Sequence, residues 1–245
     1  MIFSILIGRA NSKGFKKKNL KKVGRKHLFE YPILICQKIK SVDKIFVSTD
    51  CSIIKNKSKK YDKVEVLHRP KYLASDQALG EDVFFDAYKK ILKKYDKKKI
   101  EFLILLFANA VTVSKDMINS GISFLRKNPK FDSAVSTSIY NMWSPLRARK
   151  LNNKGELVPF VPFKVFGNEK TLNCDRDSQG NVYFADMSCS IIRPRCLENM
   201  KDNLLPQKWM GKKIAPIFSW GGLDVDYEWQ LPQVEFWLKK NKIIK

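Results

Sequence analysis

Four short apolar runs recur through the first half of the chain: IFSILI at 2–7, KIFVS at 44–48, VEVL at 64–67 and FLILLF at 102–107. Each is too short and too continuous for a surface helix, so each reads as a strand buried on both faces. Stretches with helical spacing separate or follow them at 28–41, 51–60, 79–95 and 114–127. In the third, Val83, Phe84, Ala87, Tyr88 and Ile91 share one face behind Gly80-Glu81; in the fourth, Ser114 reads as an N-cap ahead of Met117 and Ile118. Strand, helix, strand in this rhythm predicts an α/β fold with a parallel sheet and right-handed crossovers. Ligands of such sheets bind beyond the carboxyl ends of the strands.

The rhythm breaks after about residue 139. From Tyr140 to Val182 the chain carries Pro145, Pro159 and Pro162 among scattered Gly and Asn, a poor parallel-sheet segment that reads as an extended lobe at about 140–182. Core-like pattern returns at 182–192 and 214–219, and an amphipathic helix is expected from about Tyr227 to Lys240. A length of 245 residues fits one domain, 1–245, with that lobe inserted. No apolar run reaches the ~18 residues of a membrane span, and Met1 leads straight into a strand, so a cytoplasmic protein is expected. Five scattered cysteines without a C-x-x-C pair read as reduced thiols.

A net charge of +23 raises the question of nucleic acid. Only nine of the 47 basic residues are arginine, however, and the lysines spread from Lys13 to Lys245 with no recognition motif beside them. Lysine-rich composition explains that pattern as well as a polyanion partner does, so nucleic acid is not the expected partner. The local concentration around IGRANSKGFKKKN, residues 7–19, is more telling. Small residues at Gly8, Ala10, Ser12 and Gly14 let backbone N–H groups and cations converge on one point beyond the first strand, as a polyphosphate requires. Neither G-x-x-x-x-G-K-[ST] nor G-x-G-x-x-G is present, so a phosphate loop here is of another kind. Lys16 and Lys17 read as solvated charge.

Five stretches line up in order: RANSKGFKKKN, VSTD at 47–50, HRPKYLASD at 68–76, LLFANAVTV at 105–113, and GLDVDYEWQLPQVEFWL at 222–238. Together they resemble the CMP-sugar synthetases, the acylneuraminate cytidylyltransferase family, over almost the whole chain. The resemblance implies the Rossmann-like three-layer nucleotidyltransferase fold with a small dimerisation lobe, and a reaction that joins CTP to a sugar acid with release of pyrophosphate. Arg9 and Lys18, at matching loop positions, would neutralise the leaving pyrophosphate as fork and point charge. Backbone N–H groups from Ala10 through Asn11, Ser12 and Lys13 to Gly14 would cradle phosphate oxygens, while Asn19 and Arg69 would contact the nucleotide. Asp76 stays open between capping the following helix and arranging the base side. Asp224 and Asp226, two apart on an extended segment, point the same way and can share one hard cation, and the family keeps a Mg2+-binding pair there. His27 and His68 lack the partners of a triad or a metal site.

The departures concern the acceptor. Where sialic acid synthetases carry LQPTSPL this chain has LFANAVT, so Phe107 replaces a glutamine and Asn109 a threonine, and Met187-Ser188 stands in place of an Asn-Gly. Arg147, Arg149 and Arg176 are cations suited to an acidic group. The resemblance further implies a homodimer in which the partner's arm closes the acceptor site. The expected activity is CMP transfer to a nonulosonic or related 2-keto-3-deoxy acid. The alternatives are a cytidylyltransferase for a phosphonate or other small acid, and a catalytically silent or nucleic-acid-binding relative.

Overall fold

The computed structural model describes residues 1–12, 14–173, 175 and 180–245. In chain order its strands are β1 (Ile2–Ile7), β2 (Lys22–Val23), β3 (Lys26–His27), β4 (Lys44–Thr49), β5 (Val64–His68), β6 (Phe102–Phe107), β7 (Ser133–Ile139), β8 (Arg149–Leu151), β9 (Leu157–Pro159), β10 (Tyr183–Ile192) and β11 (Ile214–Ser219). The α-helices are α1 (Glu30–Gln37), α2 (Ser52–Ser58), α3 (Gly80–Leu92), α4 (Lys115–Lys127), α5 (Arg195–Glu198) and α6 (Leu231–Lys240). Seven strands form one sheet in the order β5-β4-β1-β6-β10-β7-β11. Its pairs are parallel except those of β10, which runs antiparallel to both β6 and β7.

β1 lies in the middle of the sheet with all six residues buried, because its two faces feed different layers. Ile2 and Leu6 join Leu28, Ile33, Ile54 and Trp237 on one side; Phe3, Ile5 and Ile7 join Phe84, Tyr88 and Trp209 on the other. Burying each such side chain stabilises the fold by about 1.5–3 kcal/mol, which makes an edge position for β1 costly. Ser114 caps α4 as its side chain accepts from the Met117 N–H at 3.2 Å.

The structure corrects several boundaries. The helix expected at 28–41 ends at Gln37, and the one expected from Tyr227 begins at Leu231 after a 3-10 turn at Glu228–Gln230. Pro232 sits in the first turn of α6, where a missing N–H costs nothing, and so fixes the helix start there. β7 was hidden in SAVSTSI because Ser133, Ser136 and Ser138, all fully buried, interrupt the apolar pattern. Within 140–182 the regular strands are β8 and β9, a hairpin apart from the main sheet with Leu151 and Leu157 exposed. No helix among the described residues is long and apolar enough to cross a membrane.

The carboxyl ends of β1, β4, β5, β6, β7 and β11 and the amino end of β10 lie along one edge, which brings the motif loops together. At Gly8 the exits of β1 and β6 come so close that a Cβ would stand 2.6 Å from the Ala108 Cβ.

Candidate active site at the carboxyl edge of the sheet

The opening loop is held from two sides. The Ala10 N–H donates to Asp50 Oδ1 at 2.9 Å, so the STD stretch after β4 carries the loop, and Asn19 Nδ2 donates to the Arg9 carbonyl at 2.9 Å. This narrows the expected cradle, since one of its N–H groups is already engaged. Asn11, Ser12 and Gly14 lie in the loop between these anchors; Lys13 lies outside the described residues. Asn19 is buried, and its Oδ1, like the Ser12 Oγ, has no hydrogen-bond partner among the described residues. Such orphaned polar atoms suit a loop that gains its remaining partners from a ligand.

Arg9 crosses to the RP loop, where Nη1 donates to the Ser75 carbonyl at 2.9 Å and pairs with Asp76 Oδ1 at 2.7 Å. The N-cap of α3 is Leu79, so Asp76 joins the opening loop and does not cap the helix. Arg69, 5% exposed, gives both Nε and Nη2 to the Leu73 carbonyl. It thereby fixes the turn that presents Asp76. Its guanidinium pKa is lowered by burial, an effect opposed by the charges of Asp50 and Asp86.

The segment carrying the two aspartates is clamped residue by residue. Leu223 N–H donates to Thr112 Oγ1 at 3.0 Å, and Thr112 Oγ1 donates to the Leu223 carbonyl at 3.2 Å. Val225 N–H donates to the Asn109 carbonyl at 3.0 Å, and Asn109 Nδ2 donates to the Val225 carbonyl at 3.1 Å and to Asp224 Oδ2 at 3.4 Å. The N–H groups of Asp226 and Tyr227 both meet Gln230 Oε1. Val225 is fully buried between the two acids, and Lys18 Nζ bonds Asp226 Oδ1, which brings the opening loop to this segment. Burial, then the like charge of Asp226, lifts the Asp224 carboxyl above its ordinary range, against the pull of Lys18.

Asp224 and Asp226 fit a hard cation only as a sparse site, because no cluster of three His, Cys, Asp or Glu ligands occurs among the described residues. That is the donor set magnesium accepts when phosphates and water fill the rest of its sphere. Lys18, already drawn to Asp226, shows that the pair attracts positive charge.

Beside Asp224 opens a cavity of about 650 Å³, walled by Tyr140, Trp143, Phe184, Trp220 and Phe236, with Asp186 and Gly222 at its polar side. Arg147 lies elsewhere, in a second cavity of about 430 Å³ with Arg149, Phe163 and Glu169. Within one chain the structure therefore does not bring Arg147 to the aspartates, and Arg176 lies outside the described residues. Phe107 packs edge-on against Phe84 at 5.3 Å and near Trp209 at 6.0 Å, and is absent from the lining of the aromatic cavity. Asn109 turns out to hold the aspartate segment. Sequence reasoning missed the anchoring by Asp50, the clamp by Thr112 and the whole Asp186 network, since isolated Ser, Thr and Asp residues carry no spacing signal.

A mostly parallel sheet with a cationic loop and paired carboxylates at its carboxyl edge defines a nucleotide-binding α/β enzyme. The cytidylyltransferase family model matches residues 3–151, and the chain belongs to that family of nucleotidyltransferases. It is 27% identical over 246 residues to post-translational flagellin modification protein B of Campylobacter coli, covering 99% of this chain and 97% of that protein. It is also 27% identical over 168 residues, 69% of its length, to the pseudaminic acid cytidylyltransferase and UDP-2,4-diacetamido-2,4,6-trideoxy-beta-L-altropyranose hydrolase of Helicobacter pylori, of which the match covers 31%. The chain thus spans about a third of that longer relative. Among solved structures it shares the fold of CMP:2-keto-3-deoxy-manno-octonic acid synthetase complexed with CTP, with a TM-score of 0.66, 12% identity and 98% and 99% of the two chains covered.

Proposed function

We propose that the protein transfers CMP from CTP to an acidic sugar, a nonulosonic or related 2-keto-3-deoxy acid, with magnesium as its cofactor. One observation carries the proposal: Lys18 of the opening loop meets Asp226, with Asp224 two residues away, so a cation of the phosphate-type loop and a pair of metal-type carboxylates meet at one place. An acceptor hydroxyl oxygen bonds to the α-phosphorus as its proton passes to solvent water, the bond to the bridging oxygen breaks, and pyrophosphate leaves with that electron pair. Arg9 and Lys18 stabilise the leaving charge, and the orphaned Asn19 Oδ1 and Ser12 Oγ are available to the nucleotide. Asp224 and Asp226 would hold the magnesium ion, which when bound would supply polarisation of the α-phosphate and a lowered pKa for the attacking hydroxyl.

The acceptor occupies the aromatic cavity beside Asp224, where Tyr140, Trp143 and Phe184 offer apolar faces to ring carbons. Among the described residues that line this cavity there is no Lys or Arg. A cation for the acceptor's carboxylate is therefore supplied from outside it, and the arm at about 140–182 with Arg147 provides one when two chains form a cytoplasmic homodimer. The names of the relatives support a nonulosonic acceptor. The test is pyrophosphate release on mixing protein, CTP, Mg2+ and a panel of sugar acids, phosphonates and neutral sugars. Release with a 2-keto-3-deoxy acid is expected. Release only with a phosphonate moves the assignment to that class, and none with any acceptor despite CTP binding overturns the activity.

A further inference from the structure

Asp186 is buried, 6% exposed, and sits in an irregular stretch of β10 where the register with β7 shifts between Ala185 and Ser190 and Met187 takes a φ of 62°. Its Oδ1 accepts from the Ser136 hydroxyl and from the Ser188 N–H at 3.1 Å, and its Oδ2 accepts from the Ser138 hydroxyl at 2.7 Å. Among the described residues no Lys, Arg or His forms an ion pair with it. A buried carboxylate without a counter-charge is costly to keep, and hydroxyls alone do not explain an acid where a neutral amide of the same shape would fit.

The bonds continue outward from the carboxylate. Ser138 Oγ accepts from the Gly222 N–H at 3.1 Å, and the Gly222 carbonyl accepts from the Tyr140 hydroxyl at 2.9 Å. Ser188 Oγ lies 2.7 Å from Thr112 Oγ1, which holds Leu223. Gly222 packs so tightly that a Cβ there would overlap the Asp186 carboxylate, which accounts for glycine just ahead of the aspartates. We infer that Asp186 is a positioning residue: it fixes, through Ser138 and Gly222 and through Ser188, Thr112 and Leu223, where Asp224 and Asp226 stand.

The reason for an acid is direction. An ionised carboxylate only accepts, so each group around it must donate. With its proton committed to Asp186, Ser138 can present only lone pairs to Gly222. An asparagine could instead donate to Ser138, release the hydroxyl to rotate, and leave the Gly222 N–H without a partner. The polar chain then has two arrangements where the acid allows one.

This inference rests on Asp224 and Asp226 being the carboxylates of the reacting site. Asp186→Asn should lower kcat roughly tenfold, the worth of about one well-placed hydrogen bond, with CTP affinity by calorimetry unchanged. Ser138→Ala, a small change that keeps the packing, should give the same signature, and the double variant should lose little more than either single one. Asp132→Asn is the control. Asp132 lies at the opposite end of β7 and is as fully bonded, to the Lys212 and Lys213 N–H groups and Arg195, so its loss should cost stability and leave kcat alone. Unchanged kcat in Asp186→Asn and Ser138→Ala, or a weakening of CTP binding equal to the loss in rate, would overturn the positioning role. Asp224→Asn measured alongside separates the two failures, because full activity in that variant sinks the site assignment itself.

Discussion

At the end of the sheet edge that we propose takes the nucleotide, Arg9, Lys18, Asp76 and Asp226 are charged, partly exposed and joined by ion pairs between loops far apart in sequence. At the proposed acceptor end, Ser136, Ser138 and Ser188 surround the buried Asp186 carboxylate, Thr112 extends the network from Ser188, and aromatic rings line the space beside them. Exposed ion pairs hold weakly and exchange readily with a charged ligand, whereas a buried polar network holds one geometry. The nucleotide end is therefore built to be completed by its ligand, and the acceptor end to keep a shape. The Asp224 segment is the seam, tied to Lys18 on one side and to Asn109, Thr112 and Ser138 on the other.

The comparison breaks most severely at that seam. Asp224→Asn or Asp226→Asn should cut turnover by roughly 10³-fold while circular dichroism stays native, because each removes one of the two carboxylates proposed to hold the metal and nothing from the core. Arg9→Ala should follow, at roughly 10²-fold in kcat, if its guanidinium stabilises the leaving charge. It should also loosen the RP loop, since Ser75 and Asp76 lose their partner, so measurable weakening of CTP binding belongs with it. A rate effect without any change in CTP affinity would show that the two loops are held otherwise. At the acceptor end, Arg147→Ala should raise the acceptor KM about tenfold, the worth of one charged hydrogen bond, with CTP affinity intact. Loss of CTP binding in that variant would place Arg147 on the wrong substrate.

The nucleotide end was far more legible than the acceptor end. IFSILI, KIFVS and FLILLF are runs whose only stable setting is the inside of a sheet, and β1, β4 and β6 occupy it. The loops that follow carry their chemistry in contiguous letters, RANSKGFKKKN and RPKYLASD, so Arg9, Lys18 and Asp76 could be named from the resemblance, Asp76 with two roles open. SAVSTSI gave no such signal. Its serines read as polar surface, yet in the fold Ser136 and Ser138 point at Asp186, a residue 48 and more positions away. A buried hydroxyl is recognisable only by its partner, and the partner is supplied by topology. Arg69 shows the converse: the motif was legible, while the structure commits two of its nitrogens to Leu73.

The smallest expected effect separates the seam from the scaffold by pH. Asp132 and Glu30 feel burial, which would raise them, but N–H donors from Lys213 and Lys212 with Arg195 for the first, and Tyr61 with His27 for the second, outweigh it and hold both below their ordinary values. A carboxylate depressed in the folded state contributes stability that is fully present above its unfolded value, about 4, and is lost as pH falls through the folded value. Asp224 is shifted the other way by burial and by Asp226, so its protonated form gathers at a pH where those carboxylates are still ionised. Acidification should thus silence turnover before it unfolds the chain. Lys18→Met should widen the gap, because the positive charge that favours ionised Asp224 is gone and the acid limb of kcat/KM moves upward, while the unfolding midpoint in acid barely changes. Circular dichroism and initial rates over one pH series check this; coincident loss of structure and activity, or a limb that Lys18→Met leaves in place, would show that Asp224 does not set the acid limit of the reaction.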